Sequence, residues 1–474
     1  MTRRRSGWAG WLVTLALVGL CEWTSASAAG LLDLDSDEGV YSLDGVLEYL
    51  EDPEGRLSVE EVTGEAYTAR FERQAPGQPN YGSTRSAYWF RFAARATASV
   101  QGHWYLNIDF PPLDKVDLYV VDDRGISEPL QAGDAIPFDE RPLKVPSLLL
   151  PLRLQPDQKG MVYLRVVSSG SITVPMTVYG EQSLREYLNH SMLAAGIFFG
   201  CLLALGIYNL LLFVSIRDRS YFYYSVATLL FVLVYLANFG IAYQHLWPDS
   251  PAWNNRAPLT LALLAMGSTT PFTRAFLHTR FNAPQLDKLL LGSLAACLLM
   301  AGLNLLGLSY AIVFRAFSIM LLVQVVLLLS AGIVCLRRGD PLARFFLLAW
   351  VSMILASLAY VGRSFTLLPP HFLTIYGFQV GSALEMILLS FALAYRITQA
   401  RRDKELAQEA LLTTLRESER TLEERVQVRT QELNATNAAL QSEVAERRRA
   451  EERLLLAHHD ALTALPNRAL LKER

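Results

Sequence analysis

MLAAGIFFGCLLALGIYNLLLFV, residues 192–214, runs for 23 positions without a charged side chain. At about 1.5 Å of rise per residue, a helix of that length reaches ~30 Å, the depth of a bilayer's hydrocarbon core. The stretch reads as a membrane span. Further apolar runs of span length occupy residues 222–242, 258–277, 289–308, 311–336, 345–367 and 374–397, so seven spans are expected. The connections set their direction, because loops on the cytoplasmic side accumulate Arg and Lys. Arg217 and Arg219 come after the first run, Arg280 and Lys288 after the third, Arg337, Arg338 and Arg344 after the fifth, and Arg396, Arg401, Arg402 and Lys404 at the end of the seventh. The alternate connections hold little beyond His245 and Arg256. The segment before the bundle therefore lies outside, and the tail after it lies inside.

Composition agrees with this reading. Of 474 residues, 52% are hydrophobic, more than a soluble chain carries. The 43 basic and 45 acidic side chains leave a formal charge of -2, without the basic footprint that a nucleic-acid partner would call for. Cys21 falls in the leader and Cys201, Cys297 and Cys335 in apolar runs. That placement supports no disulfide framework and no cysteine-based zinc site.

The first residues, MTRRRSGWAGWLVTLALVGLCEWTSASAAG, place three arginines before an apolar run and end it with Ala26-Ser27-Ala28. That is the layout of a secretory signal cleaved after about Ala28, with an uncleaved anchor as the alternative. From there to residue 188 the chain is built of short aromatic and β-branched runs at 88–92, 104–108, 116–120, 162–166 and 172–174, separated by Pro, Gly and Asp clusters. Such spacing predicts an antiparallel β-sandwich. Tyr88, Trp89 and Trp104 on these strands either stack on a ligand or fill the space between two sheets.

Several segments of this region succeed one another as in a known exported domain: Tyr49 to Gly55 (YLEDPEG), 88–92 (YWFRF), 114–119 (DKVDLY), Gly133-Asp134 and Arg141-Pro142. The chain resembles the type 2 extracellular domain of bacterial seven-transmembrane receptors with diverse intracellular signalling modules. The resemblance implies a jelly-roll sandwich akin to carbohydrate-binding modules, with a small molecule or carbohydrate as ligand. It carries over no ligand residue, since the matching segments look structural.

Charged residues inside spans are expensive and ask for a reason; Arg274 and Arg315 are nearer span ends. Glu385 lies near the middle of the seventh run and Arg363 toward the outer part of the sixth. Together they form a candidate switch holding two helices in one of two packings; alternatively Glu385 is satisfied by hydroxyls of the bundle and Arg363 extends to the interface. A transporter is the rival reading of any such bundle, but no inverted repeat and no matching pair of interrupted spans is visible.

Beyond Ile397 no Gly or Pro occurs until Pro466. Leu412, Val426, Leu433, Leu440 and Leu454 are spaced by multiples of seven, with Leu415 and Leu422 in the complementary seam position. A parallel homodimeric coiled coil is expected, its seam interrupted by Glu419, Arg429, Thr436, Glu443 and Arg447. A solvated single helix is the alternative. The stretch DALTALPNR (460–468) then resembles the opening motif of GGDEF domains, the catalytic unit of diguanylate cyclases, through Asp460, Leu462, Thr463, Asn467 and Arg468, with Ala464 where that family usually has Gly. The resemblance implies GTP and Mg as cofactors of a complete domain. The residues in hand contain only its first step, so none is assigned a catalytic, cofactor-binding or metal-ligating role. His458 and His459 lack a third ligand and read as surface residues.

The expected fold class is thus a multi-domain membrane protein: an all-β jelly-roll-like periplasmic sandwich, a seven-helix transmembrane bundle and a cytoplasmic coiled coil. The boundaries are a signal peptide at 1–28, the sensor domain at 29–188, the spans at 189–398, the coil at 399–457 and the GGDEF opening at 458–474. The expected function is an inner-membrane receptor relaying a periplasmic signal to a diguanylate cyclase output. A non-catalytic sensor or scaffold, or the sensor part of a histidine kinase acting through a partner protein, is the alternative.

Overall fold

A computed structural model describes residues 30–75, 77–97, 103–155, 157, 159–364 and 376–458. The expected signal peptide and the motif residues Asp460, Leu462, Thr463, Asn467 and Arg468 lie outside these, as does the side chain of Arg363. The chain divides into two compact units at Ala394 and Tyr395.

The first part is β-structure. Its strands are β1 (Leu31–Leu34), β2 (Val40–Ser42), β3 (Glu48–Asp52), β4 (Glu72–Arg73), β5 (Asn80–Ser83), β6 (Ala87–Ala96), β7 (Trp104–Ile108), β8 (Lys115–Asp122), β9 (Gly125–Ile126), β10 (Leu130–Ala132), β11 (Leu148–Leu152), β12 (Lys159–Val167), β13 (Ser171–Thr173) and β14 (Met176–Gly180). One sheet runs in the order β10-β8-β12-β6-β3-β4, with β1 added to β6 and β9 to β8; a second runs β11-β7-β14-β2; β13 and β5 form a small third. Alternation decides which side chains fill the space between the two larger sheets. Tyr88, Phe90 and Phe92 of β6 and Leu118 of β8 meet Leu106, Ile108, Leu148 and Val178 of the facing sheet in one core. Trp89 points the other way and gathers Leu50, Val59, Val62 and Tyr163 into a second cluster. Val59 and Val62 reach it from helix α1 (Val59–Thr63), which a capping box fixes: Ser58 Oγ accepts from the Glu61 amide at 3.4 Å, and the Ser58 amide donates to Glu61 Oε2 at 2.8 Å.

The helical part continues from β14 without a linker. We number its helices α2 (Glu181–Ile216), α3 (Arg219–Asn238), α4 (Ile241–His245), α5 (Pro251–Leu277), α6 (Pro284–Leu305), α7 (Tyr310–Arg337), α8 (Leu342–Ser364) and α9 (Gly377–His458). Local chemistry sets the ends: Arg217 takes a left-handed conformation to close α2, Asp218 Oδ1 accepts from the Ser220 amide at 2.9 Å to open α3, and prolines start α5 and α6.

Six of these helices are long and apolar enough to cross a membrane by length and composition. The third expected span, 258–277, folds as part of α5, yet α5 is not among the six. Its Ser, Thr and Pro residues and Arg274 lower its hydropathy, and its position in the bundle accommodates them. It packs against α3, α6 and α7 and has most of its side chains buried, so neighbouring helices rather than lipid surround it. Its hydroxyls turn back on the helix, Thr260 Oγ1 to the Arg256 carbonyl at 2.9 Å and Thr273 Oγ1 to the Thr269 carbonyl at 2.8 Å, or serve neighbours. Gln324 of α7 donates to Thr269 Oγ1 at 2.9 Å and accepts from Ser293 Oγ at 2.6 Å, while Asn304 of α6 donates to Thr260 Oγ1 at 2.8 Å. At one end of α5, Arg274 makes a two-pronged ion pair with Asp287 at 2.7 and 3.0 Å, and Thr279 adds a third bond at 2.6 Å.

In the second unit, residues 401–457 of α9 are exposed along their whole length, the seam residues Leu412, Leu415, Leu422, Val426, Leu433, Leu440 and Leu454 included.

Candidate functional site: a clasp between sandwich and helices

The loops at one end of the sandwich close on α4 and on the first turns of α5 and α7. Gly133 makes this possible. Its φ of +140° is one that other residues avoid, and a Cβ there would sit 2.2 Å from the Asp114 carbonyl oxygen. The close approach lets the Asp134 amide donate to the Leu113 carbonyl at 2.8 Å and the Ala135 amide to the Asp114 carbonyl at 3.0 Å. It also aims the Gly133 carbonyl at Arg141, whose Nε and Nη2 donate to it at 3.1 and 2.6 Å.

The Arg141 guanidinium lies over two rings, Phe138 at 4.9 Å and Tyr243 of α4 at 5.1 Å. Tyr243 in turn donates its hydroxyl to the Ile136 carbonyl. Two more bonds cross the same seam: the Phe138 amide donates to the Pro248 carbonyl at 3.1 Å, and Gln244 Nε2 donates to the Lys144 carbonyl at 3.2 Å. Asp114 forms the other jaw. Its carboxylate accepts from the Ser169 amide at 2.8 Å, from Ser168 Oγ at 3.3 Å and, across the seam, from Asn255 Nδ2 of α5 at 3.1 Å. Gly240, left-handed at φ +73°, admits the chain where a Cβ would meet the Pro146 carbonyl oxygen at 2.5 Å.

A second tether is covalent. Gly180 ends β14 and caps α2; the Gln182 amide donates to the Asp37 carbonyl at 3.1 Å, Ser183 Oγ to the Gly39 carbonyl at 2.8 Å, and Tyr187 to Asp109 Oδ2 at 3.2 Å.

Burial gives the clasp its electrostatic character. Asp134 is 3% exposed and Arg141 5%. Both line a small cavity with Pro111, Pro112, Tyr243 and Asn254. Asp134 Oδ1 and Arg141 Nη1 have no hydrogen-bond partner among the described residues. Loss of hydration, reinforced by the charge of Asp114, pushes the Asp134 carboxyl up to about 7, against the opposing pull of Arg141 and Asn255. Burial lowers Arg141 to about 10 and raises Tyr243 to about 12. Among the described residues no group of three His, Cys, Asp or Glu is placed to hold a metal. The arrangement is suited to holding, releasing and titrating.

The structure brings none of the sequence-expected residues into this clasp. Tyr88, Trp89 and Trp104 are 6%, 0% and 4% exposed. They take the packing alternative: Tyr88 stacks on Tyr81 at 4.1 Å between centroids, Trp89 sits under α1, and Trp104 belongs to the main core. Glu385 is 6% exposed, on a stretch of α9 whose carbonyls accept from α3: Tyr224 bonds the Met386 carbonyl at 2.6 Å and Tyr221 the Leu393 carbonyl at 2.7 Å. Its expected partner Arg363 has its side chain outside the described residues. Sequence reasoning singled out Gly133, Asp134 and Arg141 only as marks of a resemblance, and passed over Tyr243 and Asn255, which lie more than a hundred positions away. The left-handed glycine before an acidic residue was the one local signal.

Residues 44–180 match the family model described as 7TMR-DISM extracellular 2, and residues 191–396 match the model described as 7TM diverse intracellular signalling. No curated protein matches the chain. The chain thus joins a type 2 extracellular domain of the 7TMR-DISM kind to a 7TM domain of the same kind, the two parts of a transmembrane signalling receptor.

Proposed function

We propose that this chain is a bacterial inner-membrane receptor. Its periplasmic sandwich detects a small polar molecule or carbohydrate, seven spans carry the change, with α5 as the third, and a homodimeric coiled coil hands it to a GGDEF output that uses GTP and Mg. Arg and Lys in alternate connections support the orientation, with the tail cytoplasmic. The leucine seam supports the dimer, and the DALTALPNR stretch supports the output.

The observation that carries the reading is the clasp. A sandwich bonded to α4 and α5 through Asn255, Tyr243 and the Pro248 carbonyl has a mechanical path into the bundle, where a sandwich on a free tether has none. Cyclase half-sites must face each other, and a heptad seam keeps its facing under a seven-residue deletion but loses it under a four-residue one. With a complete GGDEF domain appended after Arg474, deleting 427–433 is expected to leave regulated cyclic di-GMP synthesis, while deleting 430–433 locks it on or off. Equal behaviour of both deletions in chains that remain dimeric overturns the relay and favours an output carried by a partner protein.

A further inference from the structure

One carboxylate oxygen of the clasp is left without a donor among the described residues. Asp114 accepts three hydrogen bonds, and two of Arg141's nitrogens are committed to the Gly133 carbonyl. Asp134, beside them, keeps Oδ1 unpaired inside a cavity of water size, with the unpaired Arg141 Nη1 lining the same space. An ionised Asp134 buried there loses its hydration, which the nearby Arg141 offsets only in part, whereas a neutral carboxylic acid loses far less. We propose that Asp134 is a proton-binding site, and that proton uptake there strengthens the docking of the sandwich on α4 and α5, so that the receptor responds to external acidity.

The groups facing Asp134 come from every element packed on it. Asp114 precedes β8, Arg141 is three residues beyond Phe138, Tyr243 comes from α4, Asn254 and Asn255 from α5, and Tyr310 from the first turn of α7. Asp114 disfavours a second negative charge; Arg141 and Asn255 favour it, and burial outweighs them. His245 lies at the exposed end of α4, and His245→Gln is the control for an imidazole beside the seam.

Two states of the seam fix the sign. When the seam opens, Asp134 meets water and titrates as an ordinary carboxyl near 4; when it is closed, the same group titrates at about 7. The closed state therefore binds the proton more tightly. Closure is favoured below the ordinary carboxylate range in full, weakens progressively as pH rises from about 4 to about 7, and is least favoured above that. Between pH 8 and pH 5.5 the closing equilibrium should shift by about 30-fold toward the closed form.

The Phe138 amide reports this directly, because its acceptor, the Pro248 carbonyl, lies on the far side of the seam. Hydrogen exchange of the full chain in lipid nanodiscs, divided by the intrinsic rate of an unstructured peptide of the same sequence, gives the opening equilibrium even when the open form is rare. The protection of Phe138 is expected to be about 30-fold higher at pH 5.5 than at pH 8, while amides of β12 serve as an internal standard. Asp134→Asn should abolish the ratio, and His245→Gln should leave it intact. Tyr243→Phe, which removes the bond to Ile136, should lower protection at both pH values and preserve the ratio. Protection that is constant with pH in the wild type, or that rises with pH, overturns the proposal; so does an Asp134→Asn chain that titrates like the wild type. If Asp134→Asn loses the β12 amides and so fails to fold, the wild-type ratio together with that of Tyr243→Phe decides. The readout depends on neither the ligand nor the output.

Discussion

Replacing Gly133 by Ala strains the clasp at its tightest point. A Cβ at this position stands 2.2 Å from the Asp114 carbonyl oxygen, 2.8 Å from its carbonyl carbon and 3.0 Å from Lys115 Cα. All three are backbone atoms, so no side-chain rotation relieves the contact. The loop around Asp114 has to move by roughly 1 Å to restore ordinary van der Waals separation. That shift breaks the bond from the Ala135 amide to the Asp114 carbonyl and loosens the grip of Asp114 on Ser169 and Asn255. Strain at φ +140° costs about 1–2 kcal/mol and each lost hydrogen bond about 1 kcal/mol, giving about 3 kcal/mol in all. At 1.4 kcal/mol per factor of ten, the slowest amides of the eight-stranded sheet should exchange roughly 150-fold faster in Gly133→Ala. Gly125→Ala separates strain from collision, because Gly125 has φ +109° but nothing within 4 Å of its missing Cβ. It should lose only the strain portion. Equal effects of the two substitutions, or a change at Gly133 below about threefold, would refute the view that backbone contact at Gly133 sets the clasp.

Particular contacts elsewhere lead to three more expected outcomes. Arg274→Met strands the buried Asp287 carboxylate and should cost about 3–5 kcal/mol in denaturant unfolding of the full chain, most of it recovered by the double change Arg274→Met with Asp287→Leu. Trp89→Ala empties the space beneath α1 and should destabilise the sandwich by about 3–5 kcal/mol in hydrogen exchange of β3 and β6. Alkaline phosphatase fused after Asn189 should be active and after Arg402 inactive; equal activity at both places contradicts the orientation read from the loop charges.

The sequence makes some of this architecture plain and hides the rest for identifiable reasons. Strands such as β7 and β12 are visible because aromatic and β-branched residues crowd between turn formers. Helices α2 and α7 are visible because long apolar runs leave no other reading. Alternation says that Tyr88 and Trp89 face opposite ways; that both are buried depends on Val59 and Val62 of α1 covering the outer face. Likewise α5 looks like an ordinary span until its neighbours are known, since only the packed bundle brings Asn304 to Thr260 and Gln324 to Thr269. The clasp is the least legible. It gathers residues 114, 134, 141, 243 and 255 from distant parts of the chain, each with ordinary local surroundings, and Asp287 escaped notice because the arginine it holds is 13 positions earlier.

The central claim is that the state of the clasp is read at the tail of the chain. With Cys201, Cys297 and Cys335 replaced by Ala and Leu433 by Cys, the yield of disulfide between two copies in native membranes reports the facing of the seam. Adding Arg141→Gln, which removes charge from the clasp while exchange at Phe138 verifies that the seam has opened, should change that yield at least threefold. An unchanged yield with an opened clasp would contradict the account.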